Sequence, residues 1–258
     1  MLKMEINRVG KRPVFWLLII VGLVYALLPV INTWPHGLTD DDYMLYPRSA
    51  YVSWMYFIGD TYLIYSLTFP LLASLAYSDA YAEDFNTGLI KNILTKVEKR
   101  KYLLIRYTVN FCIGGFVAVF PLIINFLGEM AAYPLIENNY YFGMPLVVEG
   151  SFWPELFYQH PFIYVILRLF VIFMFGGMLA SVGLAFSTVV KNRYIVLIFP
   201  FLIVLGLDVF ASTVGTAPLT MLFLGNYQAT WELPVYLLIG ILGSFIWYYA
   251  SGGKNETI

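Results

Sequence analysis

The sequence predicts an all-α integral membrane protein, a single transmembrane domain of six spanning helices, and three observations carry that expectation. Only 12% of the 258 residues are charged, where an ordinary soluble domain carries about 25%. Mean hydropathy is +0.74 and aromatic residues make up 19% of the chain, so a surface built from it would be too poor in charge to stay dispersed in water. Finally, the apolar residues form six continuous runs instead of alternating in short strands. Such runs satisfy the backbone as helices and not as a barrel.

The runs extend from Pro13 to Thr33, Ser53 to Tyr77, Tyr102 to Leu127, Pro161 to Val190, Tyr194 to Val214 and Leu233 to Ala250. Each is long enough to cross about 30 Å of hydrocarbon, for which about 20 residues suffice. Lys3, Arg8, Lys11 and Arg12 precede the first run as they would a signal peptide. The run is too long for one and closes on Asn32-Thr33-Trp34-Pro35 without a small-residue cleavage pattern, so it reads as a retained span.

Charge sets the expected orientation. Thirteen of the fifteen cations, namely Lys3, Arg8, Lys11, Arg12, Lys91, Lys96, Lys99, Arg100, Lys101, Arg106, Lys191, Arg193 and Lys254, fall on one side. Arg48 falls on the other and Arg168 within a span, while Asp40, Asp41, Asp42, Glu129, Glu137, Glu149, Glu155 and Glu232 gather opposite the cations. The positive-inside rule then puts both termini in the cytoplasm. Residues 128–160 form the largest outer segment, where Tyr140, Tyr141, Phe142, Phe152, Trp153, Phe157 and Tyr158 suggest an aromatic belt and lid, with substrate contact as the alternative.

Familiar catalytic signatures are missing. The chain has no phosphate-binding loop, no His-Glu-x-x-His pair, no nucleophile elbow and one cysteine, Cys112. His36 and His160 lie beside prolines near the predicted surface and read as solvated. The sequences Gly59-Asp60 and Gly206-Leu207-Asp208 depart from the intramembrane aspartyl protease pattern at both sites. The chain by itself is therefore not expected to be an enzyme, nor to hold a cofactor or metal, nor to bind nucleic acid. Membrane lipids are its expected surroundings.

Apart from Arg106, counted with the inner cations near the start of the third run, three charges lie inside the predicted spans: Asp60, Arg168 and Asp208. All lie about 9 to 10 Å from the outer ends of their runs at about 1.5 Å per residue. Exposure to lipid at mid-bilayer costs about 2.5–3.5 kcal/mol per charge on insertion scales. They are expected to face the bundle, with Arg168 paired to Asp60, Asp208 or both, as a structural ion pair or an outer gate. Gly176, Ala180, Gly183 and Ser187 make one small-residue face on span four, suited to close packing within the chain and, as the alternative, to a dimer seam.

The inner segment 78–101 between spans two and three is the most informative stretch. Tyr81, Phe85, Leu89, Ile93 and Val97 recur every four residues, with Glu83, Asp84, Lys91 and Lys96 on other faces, which predicts an amphipathic helix. The order of Glu83, Asp84, Gly88, Leu89, Ile93, Leu94, Thr95 and Arg100 resembles the coupling segment of ABC-2 type ABC transporter permeases. Lys96 stands where such families often have proline.

The resemblance extends to the layout. An amino-terminal interfacial helix would be formed by Leu2, Ile6 and Val9 with Lys3, Glu5, Arg8 and Lys11, and a short apolar excursion by residues 215–232 around Pro218. It implies a bacterial cytoplasmic membrane protein working as one of two permease subunits, identical or paired with a similar partner, on two ATPase subunits that hold ATP and Mg. The ATPase-coupling role would fall on Glu83, Asp84, Gly88, Lys91, Leu94 and Arg100. The substrate would be an exported amphipathic peptide, antibiotic or lipid-linked molecule. A different class of function also fits, a standalone immunity or regulatory protein that binds a membrane-active peptide.

Overall fold

In hydrocarbon every backbone N–H and C=O must find its partner within the chain, and the apolar runs do so as helices. The computed structural model describes residues 1–34, 49–60, 62–136, 147, 150–225 and 231–254, with the backbone alone for residues 33, 56–60 and 62. Among them the order is α1 (Leu2–Gly10), α2 (Pro13–Thr33), α3 (Ala50–Asp60), α4 (Tyr62–Leu75), α5 (Ala80–Asn86) and α6 (Leu89–Leu94). Then follow α7 (Lys99–Ala132), α8 (Pro154–Gln159), α9 (Pro161–Ser187), α10 (Arg193–Val214), α11 (Leu219–Leu224) and α12 (Glu232–Lys254). No strand occurs among the described residues. His36, Asp40, Asp41, Asp42, Arg48, Glu137, Tyr140, Tyr141, Phe142, Glu149 and the Asp60 side chain lie outside them.

Among the described residues five helices, α2, α7, α9, α10 and α12, are long and apolar enough to cross a membrane. Helices α3 and α4 cover the expected second span, and Thr61 between them is outside the described residues. The outward faces of α2, α10 and α12 expose Leu17, Ile20, Leu202, Phe210, Ile239 and Ile246 by more than half. Exposed apolar surface of that extent belongs against lipid. This is the architecture of a helical membrane protein.

At the centre α7 packs along α9, and the expected small face is what lets them meet. A Cβ at Gly176 would fall 2.6 Å from that of Ala118, and one at Gly115 would fall 2.6 Å from the Phe173 carbonyl oxygen. Gly183 faces Ser78 and Pro200, so this face packs against the chain's own helices. Polar side chains fasten other helices to α7 through backbone carbonyls: the Trp54 indole donates to Leu122 at 3.1 Å, the Tyr65 hydroxyl to Ala118 at 2.6 Å, and the Asn125 amide to Ala26 at 3.0 Å. At 34 residues and about 1.5 Å per residue, α7 outruns the hydrocarbon thickness by a wide margin. It carries side chains well beyond the apolar layer.

The single amphipathic helix expected over residues 81–97 is two helices, α5 and α6. Gly88 between them has φ of 70°, a left-handed conformation that ends one helix and starts the next. Tyr81, Ile90 and Ile93 still turn inward, against Tyr102, Leu103 and Tyr248. At α10, the Asn192 side chain accepts from the Tyr194 amide at 3.1 Å and so fixes where that helix begins.

Candidate functional site

The end of the bundle that carries α1, α5 and α6 holds a dense cluster of charge. Asp84 on α5 and Arg106 on α7 are both fully buried and paired. Asp84 also accepts from the Tyr102 hydroxyl at 2.8 Å and from Arg8 of α1 at 2.6 Å. Glu5, likewise fully buried, lies 3.1 Å from Arg106 and accepts from the Tyr77 hydroxyl at 2.5 Å, while Arg106 donates to that hydroxyl at 2.9 Å.

A second layer ties in two helix starts. Arg12, just before α2, pairs with Asp79 at 2.6 Å and with Glu83, and its guanidinium lies 4.6 Å over the Tyr77 ring. Arg193, the first residue of α10, reaches Asp79 at 2.6 Å and Glu83 at 3.5 Å. Arg8, Arg12, Arg106 and Arg193 thus face Glu5, Asp79, Glu83 and Asp84, and the cluster is balanced in formal charge. Balance matters because an uncompensated buried ion is costly, whereas a paired and hydrogen-bonded one is tolerated.

Lys191 completes the connection on the α9 side. Its ammonium donates to the Ser187 and Thr188 carbonyls at 3.0 and 2.6 Å and lies 4.7 and 4.5 Å from the Tyr81 and Phe85 rings. Burial pushes its pKa down to about 8. The Asn86 amide donates to the Lys191 carbonyl at 2.8 Å. Burial also opposes the Arg8 charge, but the hydrogen bond to Asp84 and that carboxylate's charge outweigh it and push the Arg8 pKa up.

The expected coupling residues separate into two groups. Asp84 is buried and Glu83 partly so, both engaged by the chain's own arginines. Asp84 accordingly presents no surface to a partner. Gly88 is the left-handed joint and Leu94 ends α6, partly buried, while Lys91 and Arg100 are exposed. An open groove lined by residues 94–99 lies next to them.

Arg168 and Asp208, expected as intramembrane charges, lie away from this cluster, toward the start of α9 and the end of α10. Arg168 is fully buried and donates to the carbonyls of Leu224 and Gly225 at 3.1 and 2.6 Å, with the Phe152 ring 4.6 Å away. Asp208 accepts from the Thr220 amide at 3.3 Å and its hydroxyl at 2.5 Å. Among the described residues no ion pair joins Arg168 to Asp208. Of the expected contacts, the one between Arg168 and Asp208 runs instead through α11, which both side chains touch. Asp60 ends α3, and its side chain is outside the described residues.

No protein-family model matches the chain, and no curated protein or solved structure matches it. The geometry therefore stands by itself. Several of its members, Glu5, Arg8, Arg12, Tyr77, Asp79, Tyr102, Arg106 and Arg193, were not expected as site residues; in the sequence the arginines count as inner cations, and Glu5 and Arg8 as part of the amino-terminal helix. Arg106 carried a readable signal, a charge among Leu103, Leu104 and Ile105, one helical turn after Tyr102. Within the expected outer segment, Phe152 and Phe157 turn into the bundle against Tyr164 while Trp153 is exposed.

Proposed function

We propose that this protein is the membrane subunit of an ABC transporter of the ABC-2 type, driven by a separate ATPase. The observation that supports this most is the fixing of α5, through Asp79, Glu83 and Asp84, to α1, α7 and the starts of α2 and α10. A segment fastened in that way cannot move without moving membrane helices. Such rigidity is what a transmission element needs.

In this reading α3 and α4 together make the second of six spans, both termini are cytoplasmic, and the membrane is a bacterial cytoplasmic one. Two permease subunits assemble with two ATPases, which hold ATP and Mg. Glu83 and Asp84 transmit force inward, while Lys91, Arg100 and the groove at residues 94–99 offer the outward surface to the ATPase. The cargo is an amphipathic peptide, antibiotic or lipid-linked molecule moved outward.

Purification from its native membrane tests this reading. An ABC ATPase should copurify, and Lys91→Glu with Arg100→Glu should release it without unfolding the permease, since charge reversal at a docking face introduces repulsion. A preparation free of ATPase that nevertheless protects cells against a membrane-active peptide would replace the transporter with the standalone binding protein.

A further inference from the structure

We infer that α11 is a latched strap, held in the bundle at its two ends by Asp208 and Arg168 and able to leave its seat as a unit when the latches part. The helix has six residues, too few to be stable alone, because isolated helices shorter than about 12–15 residues are marginal. Something outside it must hold its shape. The two side chains do this with matching polarity: the carboxylate of Asp208 takes the first-turn amide and hydroxyl of Thr220, and the guanidinium of Arg168 takes the last carbonyls, of Leu224 and Gly225. Negative charge at the amino end and positive charge at the carboxyl end are the favoured arrangement for a helix dipole.

The seat itself is apolar. Leu222, Phe223 and Leu224 are buried, and Phe223 stacks on Phe175 at 4.3 Å, which stacks in turn on Phe69 of α4 at 5.3 Å. Flat ring faces can part without leaving unsatisfied polar groups behind. The polar latches cannot, since hydrocarbon supplies no replacement partner. The latches therefore decide whether the strap is in or out, and they sit on different helices, Arg168 on α9 and Asp208 on α10. A change in the spacing of those helices opens one latch. Gly215, with φ of 80°, precedes the strap as a left-handed joint.

The device is independent of what drives the protein, and its test needs no ATPase. Leu222→Cys, in a Cys112→Ser background, reports strap release through its reaction rate with a membrane-impermeant maleimide in reconstituted vesicles. Leu18→Cys, buried on α2 in the same core, reports general loosening. Breaking one latch by Asp208→Ala or by Thr220→Val should raise the rate at Leu222→Cys about tenfold to a hundredfold, the factor expected for losing a hydrogen bond to a charged group. The rate at Leu18→Cys should stay unchanged. A rise at both reporters, or at neither, overturns the latch, and Arg168→Gln should repeat the result of the other two variants from the opposite end.

Discussion

Arg8 and Arg106 divide the Asp84 carboxylate between them, Arg8 holding one oxygen from α1 and Arg106 the other from α7. One buried acid thereby joins three helices. Asp84→Leu should lower unfolding stability in detergent by about 3–5 kcal/mol, the usual effect of removing one partner of a buried pair. Asp84→Leu combined with Arg106→Leu should cost less than the sum of the single changes, because neither charge is left alone. Chemical or thermal unfolding of the four proteins measures both effects; strict additivity would contradict the pairing.

Lys191 gives the cluster a pH dependence. Its pKa lies near 8 in the folded protein, below the ordinary 10.5. Between those values the unfolded chain holds a proton that the folded one has released, so stability rises as pH increases from about 8 to 10.5 and the gain is lost as pH falls through 8. Lys191→Met should flatten that rise. The comparison to make is melting temperature against pH for the two proteins, in which the remaining titrations largely cancel.

Helices were readable from the sequence because burial in lipid demands continuous apolar runs, which no other local pattern imitates. The charge cluster was not, because its partners are remote: Arg12 meets Asp79 across 67 positions and Arg193 meets the same acid across 114. At the ends of apolar runs, such charges read as solvated or lipid-facing. Glu83 and Asp84 were legible as acids on an amphipathic helix with an expected ATPase-coupling role, but their inward direction depends on α1 packing beside α7. Arg168 and Asp208 illustrate the same limit. Equal depth and opposite sign suggested contact, while the helix placed between them is a tertiary feature. Gly88 was visible as a motif residue, yet the four-residue recurrence of Tyr81 to Val97 continues across it and conceals the joint.

Gly88 makes a separate prediction about that joint. A Cβ there would meet open space, so only the backbone conformation opposes a side chain. Gly88→Ala should cost about 1–2 kcal/mol, the penalty for a left-handed L-residue, and Gly88→Asn less, since asparagine tolerates that region. Equal stability of the alanine variant and the parent protein would mean that the turn relaxes without cost.

The crossing of α7 and α9 carries the last prediction, because it separates two glycines of the same helical bundle by what surrounds them. At Gly176 a Cβ would lie 2.6 Å from the Ala118 Cβ and 3.3 Å from the Gly115 Cα, and backbone cannot move aside as a flexible side chain can. Gly176→Ala gains about 1 kcal/mol of helix propensity but must separate the central helix pair, and overpacking typically costs about 1–3 kcal/mol. Gly176→Val enlarges the cost and adds no propensity over alanine. At Gly206 on α10, a Cβ meets nothing within 4 Å, so the propensity gain stands unopposed. Melting temperature should therefore rise slightly for Gly206→Ala, fall for Gly176→Ala and fall further for Gly176→Val. If Gly176→Ala stabilised the protein as much as Gly206→Ala, the two helices would not approach as closely as their backbones indicate, and the small face on α9 would be free for another partner.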